Sequence, residues 1–380
     1  MQTPFGPRIF QAPHRTRGRL GRAIAALTST FLVILTAFAP ERVDAQTPGV
    51  TNSLTDVPGL SVGQYERIGD GFRSGTTVIL TPEGATASYS AMGGGTGTKE
   101  TDLLVPGGLV TEAHAIVLSG GSAYGLDTAT GVMRWLEEQG AGYPIAGGVV
   151  PIVPAAILFD LGRGGDFSAR PDADFGYRAA EAAHDGPVEM GRVGAGAGAG
   201  YGLGTASVVL PNGYTVAAIV GLNPGGAPVD PTTCLPYALF LELENEFDLE
   251  VPESGACRDS EGAAGGAPDE NLAGYANAFN TTIALVATDA PLNQTQTQRM
   301  ALIANSGLSR SIRPVHNLGD GDVVFAISTK TPPSNELTNQ ELHQIYNMGA
   351  DALGRAVVHA LLAEGRYCEE HPEICSARNP

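Results

Sequence analysis

Asn280-Thr281-Thr282 stands at the head of an apolar run, Ile283 to Ala287, that ends in Thr-Asp-Ala-Pro-Leu. A threonine hydroxyl inside a chain is a weak nucleophile, and it becomes useful when its own α-amine is free beside it as the base. Asn280-Thr281 therefore reads as a self-cleavage point that unmasks a catalytic N-terminus in mid-chain. The plain alternative is a strand that opens on β-branched residues. Asp320-Gly321-Asp322 offers a pair of carboxylates that can hold and orient an ammonium group and tune its proton affinity; it also suits an ordinary turn before a strand. Asn223 ends an apolar segment in Gly221-Leu222-Asn223-Pro224. Its side-chain amide can donate to an oxyanion, or it can serve the turn that Pro224 imposes.

Other segments look chemical and carry plainer readings. Ser122 lies in Gly120-Gly121-Ser122-Ala123-Tyr124-Gly125, between a strand and a helix. It resembles a nucleophile elbow, but the second glycine comes one position late. Ser122 can equally cap the helix. As a nucleophile it would need a base and an acid, which His316 with Asp320 or Asp322 could supply. Met92-Gly-Gly-Gly-Thr-Gly-Thr-Lys99 lacks the Gly-Lys-Ser/Thr of a phosphate loop, and Gly194 to Gly200 lacks the setting of a dinucleotide site. Both read as tight backbone crossings. The histidines are scattered and no Cys-x-x-Cys pair occurs, so neither metal nor cofactor is expected.

The elements that must position these residues are strands in sheets with few long helices. Thr76–Leu80 and Ala115–Leu118 are short apolar runs bounded by turn signals. Leu126, Ala129, Val132, Met133 and Leu136 fall at helical spacing, with Gly140 as a stop. Val149 to Pro154 is stiff and extended, and 176–184 is alanine-rich and helical. Residues 206–210 and 215–222 form a hairpin around Pro211-Asn212-Gly213. A helix is expected from about 293 to 312, a strand over 322–327, and a last helix opened by the capping box Thr338/Glu341. Residues 253–275 are rich in Gly, Ala, Asp and Glu and read as a surface loop just before the cleavage point, where new ends must separate. The class is α+β, in layers.

Residues 1–45 read as an export signal: Arg15, Arg17, Arg19 and Arg22, then a 17-residue apolar run from Ala23 to Ala39, then Val43-Asp44-Ala45. That run is short for a stable membrane span, so a periplasmic or secreted location is expected. From Gln46 onward 16 of the 22 basic residues face 38 of the 40 acidic ones, a net charge of −22. This argues against nucleic acid or anionic lipid as partners and suits a substrate with a free ammonium group. Cys234, Cys257, Cys368 and Cys375 are even in number, which in an exported chain suggests two disulfides, read as 234–257 and 368–375.

Taken together the segments resemble the L-aminopeptidase/D-esterase and β-peptidyl aminopeptidase family, which also holds the nylon-oligomer (6-aminohexanoate oligomer) hydrolases. The resemblance rests on Thr55-Asp-Val-Pro-Gly-Leu60, Gly97-Thr-Lys-Glu-Thr-Asp-Leu-Leu104, Leu118 to Asp127, Val150 to Ile157, Val193-Gly-Ala-Gly196, Asn280-Thr-Thr-Ile283 and Arg313-Pro-Val-His316. It implies a four-layer αββα sandwich similar to N-terminal nucleophile hydrolases. It implies one domain, 46–380, that cuts itself into an α chain of 46–280 and a β chain of 281–380, assembled as a homo-oligomer of αβ units. Thr281 would be the nucleophile, Asn223 the oxyanion ligand, and Asp320 and Asp322 the acidic pair near it. The substrate would be a short peptide or amide with a free amino terminus. Two positions depart from the pattern: Phe159 stands where some members carry Tyr, and Leu203 is nearest to where nylon-oligomer hydrolases carry Lys. A 6-aminohexanoate (nylon) oligomer hydrolase on the same site, a Ser122-dependent α/β-type hydrolase and a non-catalytic exported binding protein are the other readings.

Overall fold

The computed structural model describes residues 46–251, 279–330, 337–366 and 369. In chain order the strands are β1 (Ser61–Gly69), β2 (Phe72–Ala91), β3 (Thr98–Lys99), β4 (Glu112–Ser119), β5 (Tyr143–Ile145), β6 (Gly148–Val150), β7 (Ala155–Ile157), β8 (Leu203–Val209), β9 (Thr215–Asn223), β10 (Thr281–Thr288) and β11 (Val323–Ser328). The longer helices are α1 (Thr128–Glu138), α2 (Ala173–Glu181), α3 (Gln294–Ser311) and α4 (Asn339–Ala363). Residues from Gln46 onward make one compact unit.

Nine strands hydrogen-bond in the order β3-β7-β4-β2-β11-β10-β9-β8, with β1 also on β2. β2 is the shared element. Its first half pairs with β1 and β4, and its last six residues pair with β11. Strand side chains alternate between faces, and here the alternation sorts them into separate cores. Ile79, Ile116 and Leu118 from one half meet Ile219, Ile283, Leu285 and Phe325 from the other in an inner core. Val78, Leu80, Ala115 and Val117 turn outward against α1 and α2. Val216, Ala218, Val220, Ala284, Val286, Val324 and Ala326 turn outward against α3 and α4. The two halves of the sheet thus face each other between two helical layers, an αββα sandwich.

Three of the longer helices begin where side chains satisfy free N–H groups. Asp172 accepts from Asp174 and Phe175 at the start of α2. Asn293 with Gln296 and Thr338 with Glu341 form capping boxes on α3 and α4. Ser122 does not cap. Gly121 takes the cap position of a short 3-10 turn, and Ser122 follows it at φ 52° with no side-chain cap bond. The glycine runs are crossings as expected. A Cβ on Gly93 would lie 2.3 Å from the Asp320 carbonyl oxygen, and one on Gly198 2.2 Å from Asp160 Oδ2.

Among the described residues no helix is long and apolar enough to cross a membrane. The proposed export signal, the 253–275 loop and three of the four cysteines lie outside the described residues; Cys234 is disulfide-bonded.

Candidate active site

Two strand pairings assemble the site. β10 runs antiparallel to β9, which sets Asn223, the last residue of β9, opposite Thr281, the first of β10. β10 runs parallel to β11, and one further bridge joins Asn280 to Asp320. The segment entering β11 therefore lies beside the segment entering β10. Thr281, Thr282, Asn223, Asp320 and Asp322 are all buried. The five residues singled out from the sequence, Asn280 and Thr281 with Asn223, Asp320 and Asp322, come together.

The Asn280 carbonyl oxygen sits between two donors. The Gly321 N–H donates to it at 2.8 Å and the Thr281 hydroxyl at 2.5 Å. Asp322 is committed: Oδ1 accepts from Thr282 N–H at 2.7 Å, and Oδ2 accepts from His316 N–H at 3.2 Å and pairs with His316 Nδ1 at 2.8 Å. The His316–Asp322 pair that a Ser122 nucleophile would need is thus anchored on Thr282. Asp320 accepts from the backbone and side chain of Asn317 through Oδ2, at 2.8 and 2.9 Å. Burial, then the charge of Asp322, push its carboxyl above the usual carboxylate range, against the Asn317 bonds that pull it down.

Asn223 Nδ2 donates to the Phe159 carbonyl at 2.9 Å, and its Oδ1 accepts from Gly200 N–H at 3.2 Å and Arg163 Nη1 at 3.1 Å. One amide hydrogen of Asn223 is therefore held by Phe159; an NH₂ group carries two. Phe159 keeps its place through its backbone, and its ring lies 5.6 Å from that of Phe279, tilted by 36°. Leu203 opens β8 and is fully buried in the inner core, so it brings no polar group to the site.

Arg163 was not foreseen. Its Nη1 reaches Asn223 Oδ1 and, at 3.2 Å, Asn280 Oδ1, while Nη2 donates to the Phe279 carbonyl at 2.6 Å. Behind it lies Asp160, a buried carboxylate bonded to Ser74 Oγ at 2.6 Å and Gly121 N–H at 2.7 Å. Burial raises Asp160 above its ordinary range and lowers Arg163, and each opposes the other's shift. The available signal was an arginine set among glycines, Gly162-Arg163-Gly164-Gly165, three residues past Asp160. The Gly321 donor was missed too, because a backbone N–H leaves no mark in composition.

The arrangement is that of a hydroxyl poised on the peptide bond preceding it, with a backbone donor on the carbonyl. Residues 52–368 match the description Peptidase family S58. The chain belongs to that family. An uncharacterized aminopeptidase of Mycobacterium leprae is 43% identical over 345 residues, covering 82% of this chain and 90% of its own. A 6-aminohexanoate-oligomer endohydrolase of a Kocuria species is 31% identical over 292 residues, covering 72% of this chain and 74% of its own. The fold is shared with the L-aminopeptidase D-Ala-esterase/amidase of Ochrobactrum anthropi, at TM-score 0.63 and 22% identity over 83% of this chain and 87% of that one. A Burkholderia β-aminopeptidase superposes at TM-score 0.59 and 24% identity, over 89% and 98%. As a member of this peptidase family, the protein is a hydrolase.

Proposed function

We propose that the chain cuts itself between Asn280 and Thr281 and then acts as an N-terminal-threonine aminopeptidase on short peptides or amides with a free amino terminus. The observation that carries this is the Asn280 carbonyl oxygen held between Gly321 N–H and the Thr281 hydroxyl. In the first stage Thr281 Oγ adds to the Asn280 carbonyl carbon, the C–N bond breaks, and the Thr281 nitrogen takes the proton. Water then hydrolyses the ester, leaving an Asn280 carboxylate and a free Thr281 amine. In the second stage that amine takes the hydroxyl proton as Oγ attacks a substrate amide. The departing amine carries the proton away, and water releases the acyl group. An oxyanion donor such as Gly321 N–H or the second Asn223 amide hydrogen is worth about 3 kcal/mol. Asp320 and Asp322 are the carboxylates assigned here to orient the amine.

The cut need not divide the molecule. β10 and β11 of the C-terminal piece lie between β9 and β2 of the N-terminal piece, so both new chains keep their strand partners. Aminopeptidase names among relatives above 40% identity support this reading. The oligomer-hydrolase relatives support amide substrates more broadly at the same nucleophile. Export through residues 1–45 and assembly of several αβ units belong to the same proposal.

Denaturing electrophoresis with intact mass tests it. Wild-type protein should give two chains that meet at 280/281, and Thr281→Ala one folded, uncut, inactive chain. Cleavage at 280/281 in Thr281→Ala, or an uncut wild type that turns over peptides, would overturn the proposal.

A further inference from the structure

The uncut segment is itself an acyl donor laid across Thr281. Asn280 occupies the place that the first residue of a substrate must take for the same hydroxyl to reach its carbonyl. The site therefore shows what it offers to that residue. The Asn280 N–H donates to the Gly319 carbonyl at 3.3 Å, its carbonyl takes the Gly321 N–H, and its side-chain Oδ1 takes Arg163 Nη1 at 3.2 Å. The guanidinium is held in place: Nη1 also donates to Asn223 Oδ1, its carbon lies 5.3 Å from the Phe159 ring centre, and the Asp160 charge acts on it.

The second guanidinium nitrogen decides which side chain fits best. In the precursor Nη2 donates to the Phe279 carbonyl at 2.6 Å. A substrate that begins at the Asn280 position brings no preceding residue and hence no such carbonyl. A side-chain carboxylate carries two oxygens, one for each nitrogen, in the geometry a guanidinium fork prefers. Resting on the function proposed above, we infer that Arg163 is a specificity residue that selects N-terminal aspartate first and asparagine next, over apolar residues of the same size such as leucine. The net charge of −22 does not oppose this at close range. Surface charges are screened over about 8 Å at physiological salt, whereas Arg163 touches the side chain itself. Arg163 is half-buried, and an apolar isostere of asparagine forgoes the Nη1 bond that the Asn280 side chain makes, which favours the polar side chain.

The test uses the matured two-chain protein and the dipeptides Asp-Ala, Asn-Ala, Leu-Ala and Ala-Ala at fixed pH and salt. Asp-Ala should exceed Leu-Ala in kcat/KM by roughly tenfold or more, and Arg163→Met should collapse that ratio toward one. Arg163→Lys should keep part of it as a point charge. Because Arg163 also grips the uncut segment, a second measurement stands apart from its folding: Asn280→Leu should slow self-cleavage about tenfold, and Asn280→Asp should not. Equal rates on Asp-Ala and Leu-Ala, a ratio unmoved by Arg163→Met, or unchanged cleavage in Asn280→Leu would each overturn the inference while leaving the self-cleaving enzyme intact. An uncut wild-type chain would instead remove the function it rests on, and the inference with it.

Discussion

Two buried polar clusters show opposite construction. At Arg355 every charged group is answered. Its Nε and Nη2 hold the two oxygens of Glu246 at 2.5 and 2.6 Å, Nη1 donates to the Ser207 carbonyl at 2.7 Å, and Nη2 also reaches Asn52 Oδ1 at 2.9 Å. His359 Nε2 pairs with Glu246 at 2.9 Å. Burial alone would raise Glu246, but the bonds from Arg355 and His359 outweigh it and hold it at about 2. At Thr281 the groups are not all answered. Asp320 and Asp322 place two carboxylates two residues apart, and His316 Nε2 and Thr282 Oγ1 are buried with no hydrogen-bond partner among the described residues. The first cluster ties the N-terminal segment, β8, the 246 region and α4 together. The second keeps reactive groups close at some cost to stability.

The largest effect expected from this contrast is on the saturated cluster. Glu246→Ala leaves Arg355 charged and buried without its counter-ion, which should cost about 3–5 kcal/mol in denaturant unfolding. The fraction that folds should still divide at 280/281. A loss below 1 kcal/mol, or a folded but uncut chain, would break the comparison.

Much of this was legible in the sequence where one local rule applied. The apolar run after Thr281, the 206–222 hairpin and the Thr338/Glu341 box each announce themselves within a few residues. The sequence marks Thr76–Leu80 as a short apolar run bounded by turn signals. In the structure the pairing with β4 shifts register between Leu80 and Ala85 and then resumes, so the strand runs on to Ala91. That continuation is what delivers β11, and with it Asp320 and Gly321, to the neighbourhood of β10. Arg163 and Gly321 escaped for the same reason. Their roles depend on the β10–β11 pairing and on the loop after β7, contacts that no short window of sequence encodes. Residue type leaves Ser122 open to capping or to a nucleophile's role, and Gly121 before it, at φ 85°, fills the cap position.

Acid separates the two clusters by sign. Glu246 is held below its unfolded value, so it contributes stability above about pH 4.5 that is lost as pH falls toward about 2. The size is on the order of 3 kcal/mol. Asp320 and Asp160 are held above their unfolded values by burial first. Their ionised forms cost stability at neutral pH, and that cost is relieved as pH falls through their raised pKa values. Denaturant unfolding of the uncut Thr281→Ala chain across this range should therefore hold or rise on mild acidification and then drop. Glu246→Gln should flatten the drop, and Asp320→Asn should flatten the earlier change. A monotonic fall from neutral pH that Asp320→Asn leaves unaltered would show that the site carries no strain of this kind.

The smallest effect is the sharpest probe of geometry. A Cβ on Gly321 would lie 2.7 Å from Thr281 Oγ1, 3.0 Å from the Gly95 carbonyl oxygen and 3.2 Å from Thr281 Cγ2. The same residue supplies the N–H on the Asn280 carbonyl. Gly321→Ala must therefore shift nucleophile and donor relative to each other. Self-cleavage should slow about tenfold, which is about 1.4 kcal/mol of barrier, while unfolding stability changes little. Gly354, beside Arg355 in α4, is the matched control. A Cβ there would meet Leu241 Cδ1 at 2.5 Å, the end of a side chain that can turn aside. Gly354→Ala should alter stability and leave the cleavage rate alone. If Gly321→Ala matures at the wild-type rate, the hydroxyl does not act from the position it holds in the uncut chain.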